Sequence, residues 1–283
     1  MKFDNIDEIV YLGPTGSFTE MAKDLFCNKY NIVAYNRPMQ TIRQVIEYID
    51  TNPNMLGVLP VENSIEGTVR ENLDNLMMTK NPNIRILSEI SMPIRHCLLA
   101  RTTEIYSIEN IISHPQALAQ CQGFINHEMP RNINVIEAAS TAEAARSLQN
   151  YNLTYAAIGS KKTAEVYYLN VLKENINDDK SNRTRFVLIG DFETEETGKD
   201  KTTLAFSTKN KPGALLDVLQ VFMDYNINLS HISSRPSKEK FGEYIFIVNF
   251  DGHMRDKKIM KTIQAVKDRA IFFRFLGSYE RED

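Results

Sequence analysis

Short apolar runs bounded by turn residues alternate with stretches whose apolar positions recur every three or four residues through the first 190 positions of the chain. That alternation predicts strands feeding amphipathic helices. One junction recurs four times, an apolar strand followed by a hydroxyl residue with Glu or Gln three positions on. Val10-Tyr11-Leu12 leads through Gly13-Pro14-Thr15-Gly16 to Ser17 and Glu20, and Leu56 to Val61 leads through Glu62-Asn63-Ser64 to Thr68 and Glu71. Ile111-Ile112 leads to Ser113-His114-Pro115-Gln116, and Val135-Ile136 leads through Glu137-Ala138-Ala139 to Ser140 and Glu143. Each is a capping-box pattern, so Ser17, Thr68, Ser113 and Ser140 read first as helix caps. Their repetition predicts one parallel α/β sheet or two. Parallel strands deliver helix N-termini to a common sheet edge, where the backbone N–H groups and the positive dipole end suit a small anion.

Between the second and third junctions, Arg85 to Leu87 and Arg95 to Ala100 form a long strand pair broken at Pro93. This is where a chain would cross between two lobes, near residues 80–100, with Arg185-Phe186-Val187-Leu188 as the return strand. The predicted architecture for residues 1–190 is a two-lobed α/β domain of the periplasmic-binding-protein type with a hinge cleft. Residues 191–201 are charged and nearly free of apolar residues, as a linker would be. In residues 202–283 the order is strand (203–206), helix (opening at 211–216 and running to about Tyr225), strands at 227–233 and 243–249, helix (257–269) and strand (271–276). This βαββαβ order is that of an α+β ferredoxin-like domain, with sheet edges able to pair with another copy.

Composition narrows the function. A net charge of −3 leaves no basic footprint for nucleic acid. Three widely spaced cysteines suit neither a metal site nor a disulfide framework and point to a reducing compartment. The acidic start, Met1 to Glu8, is no signal peptide, and no apolar run reaches membrane-spanning length, so a cytoplasmic protein is expected. Gly13-Pro14-Thr15-Gly16 is neither a phosphate-binding Walker loop nor a dinucleotide glycine pattern, and no nucleophile elbow is present. No cofactor and no metal are expected; a small organic anion outranks ATP or NAD.

The segment Asn182-Arg183-Thr184-Arg185-Phe186 places one hydroxyl between two guanidinium groups at the entrance to the return strand. An arginine can clamp a carboxylate with two parallel hydrogen bonds, and a neighbouring hydroxyl can donate to a leaving group. By contrast, His114 reads as a turn residue before Pro115, and Cys121 as a buried helix residue.

These residues carry a resemblance. Asn182 to Phe186 resembles the Asn-x-Thr-Arg-Phe motif of prephenate dehydratases. So, in family order, do Gly13 to Glu20, Pro60 to Gly67 and Ser113 to Cys121, and the likeness runs from about residue 8 to the end. It implies decarboxylating dehydration of prephenate to phenylpyruvate in phenylalanine biosynthesis. It assigns Thr184 to hydroxyl departure, Arg185 to a substrate carboxylate and Glu62 as a second candidate proton donor. Asn63, Ser64, Ser113, Asn182, Phe186 and Ser17 become candidate substrate contacts.

The C-terminal unit resembles an ACT regulatory domain, with Gly213, Ala214, Leu215, Leu216, Ser233, Ser234, Arg235 and Pro236 at the positions expected to sense L-phenylalanine. It also implies a homodimer or homotetramer through the ACT and catalytic domains. Ser233 stands where the family's motif has glutamate, and Asn72 where threonine is common. A strand beginning by about Glu8 leaves no expectation of the chorismate mutase helices that precede fused relatives. Arogenate dehydratase, or a non-enzymatic receptor or regulator binding a small anion or amino acid, are the alternative readings.

Overall fold

The computed structural model describes residue 3 and residues 5–68, 70–237 and 243–282, with the backbone alone at residues 68, 70 and 71. Lobe one is built from β1 (Glu8–Leu12), α1 (Phe18–Tyr30), β2 (Tyr35–Met39), α2 (Ile42–Thr51), β3 (Met55–Asn63), β4 (Gly67–Thr68), α3 (Arg70–Met77) and β5 (Arg85–Pro93). Ser17 caps α1 by accepting from the Glu20 N–H, worth about 1 kcal/mol. The Glu20 carboxylate does not return to the cap residue; it accepts from the Gly16 N–H and the Tyr11 hydroxyl. A reciprocal capping box forms instead at Thr41 and Gln44, ahead of α2. The cap expected at Thr68 lies outside the described side chains.

Lobe two follows as β6 (Cys97–Ala100), β7 (Asn110–Ser113), α4 (Pro115–Ala119), α5 (Gln122–Glu128), β8 (Asn134–Glu137), α6 (Thr141–Ser147), β9 (Tyr155–Gly159), α7 (Lys161–Tyr167) and β10 (Asn170–Lys173). The chain then returns as β11 (Arg183–Gly190), inserted between β3 and β5 and antiparallel to both. The two crossings run side by side. Ile94 N–H donates to Asn182 O (2.9 Å), Ile176 N–H to His96 O (3.0 Å) and His96 N–H to Asn177 Oδ1 (2.7 Å).

The sheets are mixed rather than purely parallel. Their orders are β2-β1-β3-β11-β5 and β10-β6-β9-β7-β8, and only β2-β1-β3 and β9-β7-β8 run parallel. Those parallel parts carry the capped helices. At the third junction the cap is His114, not Ser113: Pro115 fixes the first helical position, and His114 Nδ1 accepts from the Gln116 N–H.

The third unit comprises β12 (Asp200–Ser207), α8 (Ala214–Asp224), β13 (Leu229–Pro236), β14 (Tyr244–Asp251), α9 (Lys257–Arg269) and β15 (Phe272–Glu280). Its antiparallel order β13-β14-β12-β15 is ferredoxin-like. The two helices cover one face through Val218, Phe222, Ile259 and Val266. The other face is buried too. Ala205, Ile245, Ile247, Leu276 and Tyr279 join Ile86, Val187 and Ile189 of lobe one in a single apolar cluster. Close approach depends on Gly277 (φ +137°), where a Cβ would lie 2.3 Å from the Ile86 carbonyl oxygen. The segment before β12 is tied down rather than loose, since the buried Thr194 hydroxyl donates to Ser278 O (2.5 Å).

Candidate active site

Strand β11 alternates side chains strictly between two buried faces. Phe186 and Leu188 pack with β1, β3 and α1, whereas Val187 and Ile189 pack toward the third unit. Thr184 therefore shares the Phe186 face, and Arg185 shares the other.

Strand β3 departs from alternation in a way that decides the site. Thr184 pairs with Asn63, Arg185 with Glu62, and Phe186 with Pro60, so Val61 is an extra, bulged residue. Without the bulge Glu62 would follow Pro60 onto the cleft face and Asn63 would follow Val61 away from it. With it, Asn63 enters the cleft and Glu62 is turned out. Asn72, half a turn into α3, donates from Nδ2 to Pro60 O (2.5 Å) beside the bulge, a role its amide reach accounts for.

The cleft between the lobes has a volume of about 450 Å³. Phe18 and Thr19 from the first turn of α1, His114, Gln116 and Ala117 from α4, and Ser140 and Thr141 from α6 meet there with Pro60, Asn63, Thr184 and Phe186. Three helix beginnings thus line the same cleft as Thr184. Among the described residues no lysine or arginine lines this cleft.

Along the cleft wall, where His96 and Gln120 also lie, three side-chain amides and one hydroxyl are linked. Asn63 Nδ2 donates to Thr184 Oγ1 (2.9 Å) and Asn182 Oδ1 (2.8 Å), and Asn182 Nδ2 donates to Gln120 Oε1 (2.9 Å). Gln120 Oε1 also meets His96 Nε2 at 3.3 Å. Burial pushes the His96 imidazole down to about 4, against the raising effect of its hydrogen bond with Gln120, so it is neutral near pH 7. A neutral ring facing an oxygen that already accepts must donate, which assigns the proton to Nε2. Gln120 and His96 were missed in the sequence because their signal is a hinge crossing and a helix end, neither a motif in itself.

The remaining sequence candidates fall elsewhere. Ser17 is a cap whose hydroxyl also donates to Leu12 O. Ser113 is fully buried and donates to Ile158 O (2.8 Å), so it has no hydroxyl to offer a ligand. Ser64 is exposed and accepts from the Arg183 N–H, pinning the start of β11.

Arg185 and Glu62 do not line the cleft. They pair with each other on the face opposite Thr184, because the strand alternates and the Val61 bulge turns Glu62 with it. There Glu89, 3% exposed, is met by Lys201 Nζ (2.6 Å) and Arg185 Nη1 (3.6 Å). His231, Ser233 and Tyr279 of the third unit close a cavity of about 30 Å³ over this cluster, room for one water. Burial lowers Lys201, opposed by Glu89, and burial lowers His231. Ser233 thus faces lobe one, while Leu215 lines a separate recess with Tyr244 and Phe246. Among the described residues, Ser233 and Leu215 thus line different cavities.

A family model for prephenate dehydratase matches residues 9–194, and one for the ACT domain matches residues 202–268. The chain belongs to the prephenate dehydratase family. It is 38% identical over 280 residues to the prephenate dehydratase of Methanocaldococcus jannaschii, covering 96% of this chain and 97% of that protein. It is also 38% identical over 275 residues to a bifunctional chorismate mutase/prephenate dehydratase of Aquifex aeolicus, covering 97% of this chain and 74% of the relative. A crystal structure of prephenate dehydratase from Arthrobacter aurescens in complex with L-Phe superposes with a TM-score of 0.86 at 33% identity, covering 97% of this chain and 90% of that one.

The reaction of this family removes the ring hydroxyl and ring carboxylate of prephenate, giving phenylpyruvate, water and carbon dioxide, and the chain is a carbon–oxygen lyase of that kind. Aromatisation drives the step, so the enzyme's task is to assist a poor leaving group and hold two carboxylates.

Proposed function

We propose that prephenate lies in the interlobe cleft with its ring hydroxyl at Thr184, which donates a hydrogen bond to the departing oxygen. The observation that carries this reading is the placement of Thr184. It is the motif hydroxyl in the wall of the cleft that the helix beginnings at Phe18, Gln116 and Thr141 also line. The carboxylates are held by hydrogen-bond donors and helix N-termini rather than by Arg185, which lies across the sheet. Phe186 and Pro60 supply the apolar wall for the ring. A positioned donor of this kind contributes about 10²–10⁴-fold. Incubating the purified protein with prephenate, and separately with arogenate, and measuring phenylpyruvate and phenylalanine tests the substrate. Turnover of prephenate is expected, and its absence sinks the reading.

The third unit serves as the regulator, with L-phenylalanine as effector and a homodimer or homotetramer as the responding form. The L-Phe complex of the Arthrobacter relative supports the effector. Assembly is supported by the outer strand β13 with Ile232 (46% exposed) and by Leu216 (64% exposed) at the start of α8. A second copy would complete a pocket from the two segments that one chain leaves apart. Phenylalanine in the millimolar range is expected to slow turnover and increase the sedimentation coefficient; no change in either counts against it. The unpaired cysteines, Cys27, Cys97 and Cys121, support a cytoplasmic location, which fractionation checks.

A further inference from the structure

We infer that Asn63 is a positioning residue that sets the direction of the Thr184 hydroxyl, so that its proton is left free for the substrate. The inference rests on the reading of Thr184 given above and concerns how that hydroxyl is prepared.

The amide of Asn63 cannot turn over. Its Oδ1 accepts from the N–H groups of Ile65 (3.0 Å) and Glu66 (3.1 Å), which obliges Nδ2 to face Thr184 and Asn182. A hydroxyl that accepts from an amide keeps its own proton for another partner. Among the described residues no protein group accepts from Thr184 Oγ1, and the hydroxyl lies in the cleft wall.

The same polarity runs back through the linked side chains. Asn182 Oδ1 receives from Asn63, so its Nδ2 donates to Gln120, whose Oε1 also receives from His96. Every amide in the series is held in one orientation, and every member but Gln120 is nearly or fully buried. The bulge at Val61 gains a purpose here, since it is what brings the Asn63 amide onto the face of Thr184.

Two substitutions separate this from a merely structural role. Asn63→Asp keeps the oxygen that accepts from Ile65 and Glu66 but replaces the donor with an acceptor, which captures the Thr184 proton. Asn63→Ala removes every side-chain bond yet leaves that proton free. If Asn63 only stabilises the loop, the alanine variant is the worse enzyme. If it sets polarity, the aspartate variant is worse by about tenfold or more in kcat at pH 8, with KM for prephenate changed less. Its deficit shrinks as the pH is lowered and the new carboxyl takes up a proton and donates again.

The titratable groups on the side of position 63 are His96 beyond Gln120 and His114, both lining the same cleft, with Glu66 in the following turn; the Arg183 guanidinium is turned to Ser91. Glu62, Arg185, Glu89, Lys201 and His231 lie across the sheet. Both variants share all of these, so the difference between their pH profiles reports position 63 alone.

The measurement is kcat and KM from pH 5 to 9 for the wild type, both variants and Thr184→Val, with urea unfolding as a check on folding. An aspartate variant as active as the alanine variant, or with the wild-type pH profile, overturns the inference while Thr184→Val stays inactive. An active Thr184→Val overturns the reading of Thr184 and this inference with it. Should Asn63→Asp fail to fold, Asn63→Ala is expected to exceed Thr184→Val in kcat by about tenfold, and equality overturns the inference.

Discussion

Thr184 and Arg185 are consecutive residues of β11 whose side chains leave the sheet on opposite faces, Thr184 into the interlobe cleft and Arg185 against Glu62 and Glu89 beneath the third unit. One strand therefore lines the interlobe cleft on one face and the cavity beneath the third unit on the other.

Replacing Thr184 by valine preserves shape and β-propensity and removes the hydroxyl. The expected result is a fall in kcat of about 10²–10³-fold with KM altered little, because the lost bond is made to the departing group. Steady-state kinetics with prephenate checks it. A proportionate rise in KM at unchanged kcat would place Thr184 in substrate binding instead.

Arg185→Gln is expected to leave KM for prephenate within about threefold of wild type, since the guanidinium does not line the cleft. Its cost appears in stability and in the response to phenylalanine. Measuring KM beside the urea midpoint distinguishes this from a substrate clamp, whose loss would raise KM by 10-fold or more on the scale of about 1.5–3 kcal/mol for a charged hydrogen bond.

Lys201→Met leaves the nearly buried Glu89 without its nearest cation. Removing one member of such a pair costs about 3–5 kcal/mol. The double variant with Glu89→Gln should recover most of that loss, because both charges are then gone. Urea unfolding of the two single variants and the double variant gives the coupling directly.

His96 binds its proton more weakly in the fold, at about 4, than the unfolded value of 6.5. Between those values the unfolded chain holds more protons, so stability falls as the pH drops from 6.5 toward 4 and the loss is complete below it. The full effect is about 3 kcal/mol on the scale of 1.36 kcal/mol for each pH unit. His96→Gln should flatten that part of the stability profile, measured by urea unfolding across pH 4–7.

Gly277→Ala places a Cβ against the Ile86 carbonyl at a positive φ. Overpacking of this kind costs about 1–3 kcal/mol, and here the strain falls on the β15–β5 contact. A lower melting temperature with weaker phenylalanine inhibition is expected, read by calorimetry and inhibition curves.

Periodicity and turn chemistry were sufficient for the two-lobed α/β class and the βαββαβ unit, because strands and amphipathic helices declare themselves within a few residues. Caps were nearly as clear: Ser17 and Ser140 accept as expected, and Ser113 failed because Pro115 set the helix start one residue later. The side on which a residue faces was harder. Phe186 and Thr184 shared a face by simple alternation, whereas Glu62 and Asn63 exchanged faces at the Val61 bulge. A bulge depends on the pairing partner, which local sequence does not contain.

What the chain determined by itself is the order of its elements and its family, both carried by short-range pattern. Tertiary structure alone decided that Arg185 and Glu62 lie at the contact between domains, that Asn63 reaches Thr184, and that His96 and Gln120 join the same cleft wall. Those relations join residues far apart in the chain, and they exist only once β11 has returned between β3 and β5 and paired with both.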